Sequence, residues 1–183
     1  MKLRVVELLL ISTIPAMALA ERGLPPLGIT VATLLGGTLA AGSANAFNQV
    51  IEKDIDELMQ RTKRRPLVEK QLTSRESLIF ATLVGILSLS IFWIFTTPLA
   101  TFLTLFAIAY YVIVYTILLK RRTSQNIVWG GAAGCMPVLI GWAAITNTIT
   151  LSGILFFLVV FFWTPPLKIS ACMWMGCPKV VSP

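Results

Sequence analysis

Several side chains able to offer oxygen to a cation stand close together in the segment NQVIEKDIDELMQRTKRRP, residues 48–66. Asn48, Glu52, Asp54 and Asp56 are the ones whose spacing matters here. If the apolar run before them continues as a helix, Asn48, Glu52 and Asp56 recur at i, i+4 and i+8. They then share one face over a rise of about 12 Å. Asp54 points nearly the opposite way. Such a row suits a hard cation such as Mg2+, which takes a few carboxylates and leaves places in its shell for phosphate and water. Arg61, Lys63, Arg64 and Arg65 follow at once, and guanidinium groups hold phosphate oxygens in bidentate geometry. Together these residues could handle a metal–phosphate complex. The plainer alternative is a solvated loop whose charges set topology. Charges that begin at the edge of a membrane-length apolar run weigh toward a site, because charge at membrane depth is costly and usually functional.

The elements that would position this segment are apolar helices. The 183 residues are 56% hydrophobic and 13% charged, whereas soluble domains average about 25% charged. A helix needs roughly 20 apolar residues to cross the hydrocarbon. Six runs qualify or come close: 5–20, 27–48, 77–96, 98–119, 127–146 and 151–167. The fold class expected is all-α, a polytopic transmembrane helical bundle.

Charge then orients the spans. Of the 15 Lys and Arg, all but Arg22 fall on one side of this arrangement. Seven of them lie between Glu52 and Glu76 and three at Lys120-Arg121-Arg122. Basic loops stay cytoplasmic, so the N-terminus, the charged segment and the tail are expected inside. The net charge of +7 does not imply a nucleic-acid partner, because the bases sit in gaps between apolar runs rather than on one soluble face. The start, MKLRVVELLLISTIPAMALA, also has the look of a secretory signal peptide, although Glu7 interrupts its apolar part.

Other residue types narrow the chemistry. The chain has no histidine, which removes the commonest general base and imidazole ligation of haem. Cys135, Cys172 and Cys177 fit no zinc or disulfide spacing, and Cys135 reads as a small buried thiol. Gly36-Gly37 with Ala40, Ala41 and Gly42, and Gly130-Gly131-Ala132-Ala133-Gly134, read as surfaces for close helix packing in lipid. Phe92, Trp93, Phe95, Tyr110, Tyr111 and Tyr115 read as core or interfacial belt. Asn126 reads first as a helix cap, ahead of a substrate contact.

The pattern N-x-x-x-[DE]-x-D-x-D-x-x-M-x-R-T-x-x-R-P, carried here by Asn48, Glu52, Asp54, Asp56, Met59, Arg61, Thr62, Arg65 and Pro66, resembles the first acidic motif of the protoheme IX farnesyltransferases. These belong to the UbiA superfamily of membrane prenyltransferases. Tyr115–Trp142, the Lys2-x-Arg4 start and Phe161–Pro166 resemble further blocks of that family. The resemblance implies a bundle of nine transmembrane helices around a central cavity, of which about six are present here. It implies farnesyl diphosphate and haem B as substrates, haem O as product and Mg2+ as cofactor. Glu52 and Asp56 would hold the metal, with Asn48 orienting it and Asp54 a further candidate ligand. Arg61, Arg65, Lys120 and Arg121 would hold the diphosphate. Ionisation would give a farnesyl cation that a haem vinyl group captures, with no covalent enzyme intermediate.

Residues 1–167 are expected to form a partial UbiA-type domain and residues 168–183 a tail outside the resemblance. The chain has no acidic residue after Glu76, so the family's second acidic motif is not matched. A frameshift or premature end in the encoding DNA is the reading of that break. Expected partners are membrane lipid and, through the resemblance, haem A synthase or oxidase assembly factors. The expected location is a bacterial plasma membrane or a mitochondrial inner membrane. The competing functions are an inactive fragment or non-catalytic partner in haem-protein assembly, a prenyltransferase for another acceptor, and a small transporter. The near absence of charge inside the spans argues against transport.

Overall fold

A computed structural model describes residues 3–53, 73–119 and 126–174. Six helices follow in order: α1 Leu3–Glu21, α2 Leu27–Ile51, α3 Ser74–Phe95, α4 Pro98–Ala109, α5 Asn126–Thr146 and α6 Leu151–Trp174. No strand occurs among the described residues. Helix α4 runs without a break into a π-helical segment, Tyr110–Leu119. The α2, α3 and α4–π rods are each long and apolar enough to cross a membrane. The spans read from sequence match these elements closely. The sixth extends past 167 to Trp174.

Local sequence sets several ends. Thr73 caps α3 through a capping box: its hydroxyl accepts from the Glu76 N–H at 3.2 Å, and its own N–H donates to Glu76 Oε2 at 2.8 Å. Thr73→Ala is expected to cost about 1 kcal/mol, read as a lowered thermal midpoint of the detergent-solubilised chain. Pro98 opens α4 where a missing N–H costs nothing. The Thr97 hydroxyl accepts from the Ala100 N–H at 3.2 Å and donates across to the Ala143 carbonyl at 2.7 Å, tying α4 to the end of α5. Asn147 leaves α5 at φ 50°, a left-handed conformation that Asn tolerates.

Lipid gives apolar helices little reason to associate, so close fit and interhelical hydrogen bonds must hold the bundle. The α2–α3 pair shows both. Ala81, Ser88 and Phe92 are buried on α3, with Gly85 in the same row, and they meet Gly36 and Ser43 of α2, whose Ala40 and Ala44 are buried too. The Ser43 hydroxyl donates to the Ala81 carbonyl and the Ser88 hydroxyl to the Gly36 carbonyl, each at 2.7 Å. Helix α1 packs mainly on α5, where Gly141 sits against Thr13 and Met17. Phe92, Ala100, Leu103, Ile140, Ala143 and Ala144 make the core that joins α3, α4 and α5. The outward faces are apolar too: Leu83, Trp93 and Phe162 are each at least 60% exposed, as a lipid-facing surface requires. Phe92 is therefore core, whereas Trp93 and Phe95 face outward. Cys135 is buried within α5.

Candidate functional site

The regular part of α2 ends at Ile51, and Glu52 takes φ −99° and ψ 9° as its C-cap. The Glu52 N–H still donates to the Asn48 carbonyl at 3.0 Å. Asn48 and Glu52 thus lie one turn apart on one face, as their spacing implies. Both are buried, at 7% and 4% exposure. Burying a carboxylate in an apolar bundle is expensive unless a cation, a proton or several donors compensate. A buried Glu beside a buried Asn, at the end of a membrane-length helix, is a polar site at a depth where polarity is costly.

The wall opposite is the π-helical segment. Thr116 is 1% exposed, and its Oγ1 stands 3.1 Å from Asn48 Oδ1 and 3.0 Å from the Tyr111 carbonyl oxygen. The Tyr111 and Tyr115 rings stack with centroids 5.2 Å apart. Tyr115 also lies against α5 at Gly130, where a Cβ would come within 2.7 Å of the ring. Gly130 therefore acts as a seat for Tyr115, in keeping with the packing role read for its glycine-rich stretch. Sequence reasoning missed Thr116. The only signal was a hydroxyl inside the apolar run 98–119, and that run also holds Thr101 and Thr104.

Asp54, Asp56, Arg61, Arg65, Lys120 and Arg121 lie outside the described residues. So do Lys63 and Arg64. Chain connectivity alone places Asp54 and Asp56 within four residues of Glu52, and Lys120 and Arg121 directly after the π-helical segment. Among the described residues no group of three His, Cys, Asp or Glu side chains forms a metal cluster. The described part of the donor set, one carboxylate and one amide, has the hard-oxygen chemistry that Mg2+ takes.

A separate cleft of about 530 Å3 opens between the ends of α1 and α5 and the start of α6, lined by Leu19, Arg22, Trp142, Thr146, Thr150 and Ser152. It lies at the far end of the bundle. Helix α2, 25 residues long, rises about 37 Å from the turn after Arg22 to Glu52, so the cleft is no part of the Asn48–Glu52 site.

A bundle of apolar helices with buried oxygen donors at one helix end defines a class of membrane protein. The UbiA prenyltransferase family model matches residues 9–174, and the chain belongs to that family. Its sequence is 57% identical over 165 residues to the protoheme IX farnesyltransferase of Paenarthrobacter aurescens, covering 90% of this chain and 52% of that protein. The corresponding protein of Pseudarthrobacter chlorophenolicus is 58% identical over the same shares. That of Frankia alni is 57% identical over 166 residues, covering 91% of this chain and 57% of the relative. The chain thus spans about half the length of the curated relatives it matches. Among solved structures, the apo structure of a UbiA homolog from Aeropyrum pernix K1 superposes with a TM-score of 0.69 at 19% identity, covering 93% of this chain and 63% of that one. At that identity the likeness concerns the fold.

Proposed function

We propose that this chain serves farnesyl transfer from farnesyl diphosphate to a vinyl group of protoheme IX, giving haem O for haem A synthesis. The observation that carries the reading is the buried Asn48–Glu52 pair at the end of α2. It stands in a chain more than half identical to proteins named for that reaction.

Glu52 and Asp56 would hold Mg2+, with Asn48 orienting it and Asp54 a further ligand. When bound, Mg2+ supplies charge neutralisation for the departing diphosphate. Arg61, Arg65, Lys120 and Arg121 fix the phosphate oxygens and complete that neutralisation, so the allylic C–O bond breaks with its electron pair leaving on the diphosphate. The apolar walls keep water away from the farnesyl cation until the vinyl group attacks it; water then adds to the carbocation left on the vinyl-derived carbon and loses a proton, giving the hydroxyfarnesylethyl group. The Tyr111 carbonyl holds Thr116 against Asn48, and the Tyr111 and Tyr115 rings stack on the same segment. The chain sits in the membrane as a multi-pass protein, with the N-terminus and the charged segment on the cytoplasmic or matrix side. Haem A synthase or an oxidase assembly factor would accept the product.

The test is direct. The chain is inserted into membranes with haem B, Mg2+ and farnesyl diphosphate, and haem O is sought by mass. Product is expected, and Asp56→Ala should abolish it. An inserted chain that makes no haem O sinks the reading. Product from another acceptor in its place would move the chain to a different branch of the same family.

A further inference from the structure

Threonines along these helices turn their hydroxyls back onto the carbonyl four residues earlier. Thr82 donates to Leu78, Thr101 to Thr97 and Thr104 to Ala100. In the π-helical segment the same bond reaches five residues back, from Thr116 to the Tyr111 carbonyl at 3.0 Å. That register aims the Thr116 oxygen at Asn48, 3.1 Å away. A threonine hydroxyl carries one proton. It cannot donate fully to Tyr111 and to Asn48 Oδ1 together. A carbonyl can only accept, so with the proton on the Tyr111 bond the Thr116 oxygen offers Asn48 a lone pair. The two ends of an amide have nearly the same shape, and which end faces a partner follows from the hydrogen-bond network.

We propose that Thr116 is a positioning residue: with its proton committed to the Tyr111 carbonyl, it accepts from Asn48 Nδ2 and so releases Asn48 Oδ1 as an oxygen donor for a divalent cation beside Glu52. The inference rests on the metal-dependent reading above. It assigns the π-helical register a purpose, since the one-residue shift supplies the acceptor at 111 that takes the Thr116 proton. Such π segments recur at functional sites.

The test measures cation affinity rather than turnover. Mn2+ serves as the probe, followed by electron paramagnetic resonance with the whole chain in liposomes. Thr116→Ser keeps the hydroxyl and should bind as the parent does. Thr116→Val keeps the shape, loses the hydroxyl and should weaken binding about tenfold, the scale of lost support behind a metal ligand. Asn48→Ala should weaken it similarly, and the double variant no further, because both act through one contact. Equal affinity for Thr116→Val and parent overturns the proposal. So do losses that add in the double variant, or a parent chain that takes up no Mn2+. Coupled Mn2+ losses in a chain that makes no haem O would uphold the positioning role while sinking the farnesyl-transfer reading.

Discussion

Glu52→Gln is expected to lower haem O formation by at least a hundredfold without loosening the fold. The substitution keeps the shape of a side chain that is 4% exposed at the end of α2. It removes the charge that the proposed metal needs. A hundredfold loss is about 2.7 kcal/mol of transition-state stabilisation, modest for one carboxylate of a metal–diphosphate clamp. Glutamine keeps the size and one carbonyl oxygen of the buried side chain, so thermal unfolding beside the assay separates loss of the metal-binding charge from loss of the fold. The assay is haem O by mass beside thermal unfolding followed by the five tryptophans. Full activity in Glu52→Gln would take Glu52 out of the site. A collapse in stability would make it a structural residue.

Gly36→Leu is expected to destabilise the bundle by about 3 kcal/mol, the upper part of the range for overpacking a core. A Cβ at Gly36 would stand 2.7 Å from Phe92 Cε2 and 2.9 Å from its Cδ2. The ring has no room to retreat, because Phe92 is fully buried among Ala100, Leu103, Ile140, Ala143 and Ala144. Forcing α2 and α3 apart would also stretch the Ser88–Gly36 bond of 2.7 Å. Gly37 is the control. A Cβ there meets nothing within 4 Å, so Gly37→Leu should be neutral or slightly stabilising, since Leu is the better helix former by roughly 0.8 kcal/mol. Unfolding of the two variants in mixed micelles tests the contrast. Equal stability would mean that the α2–α3 contact does not hold the bundle.

Much of this was legible in the chain. Helix existence followed from apolar runs bounded by charge, Pro and Gly, and the ends of α2, α3 and α5 fell within a few residues of the spans read from sequence. The spacing of Asn48 and Glu52 was enough to put them on one face. The acidic motif was enough to point to the UbiA family, which the match over residues 9–174 shows. Asp54, Asp56 and the phosphate-binding bases fall outside the described residues, so their roles stay proposals drawn from the motif.

Three features could be decided only by the folded molecule. The pairing of α1 with α5 joins segments more than a hundred residues apart, and helices apolar on every side carry no stripe that names a partner. Packing of Gly141 on Thr13 and Met17 selects it. The fate of each glycine likewise depends on its neighbour: Gly36 meets Phe92, while the adjacent Gly37 faces open space. The π register of Tyr110–Leu119 is the third. An α-helix and a π-helix built from the same residues share composition and apolar pattern, and differ by one residue in which carbonyl each donor meets. That shift brings the Thr116 oxygen to Asn48. Sequence thus determined where the oxygen-bearing and basic side chains fall along the chain and which segments form helices. Tertiary structure decided which side chain faces them, because that choice depends on backbone approach and hydrogen-bond register rather than on residue type.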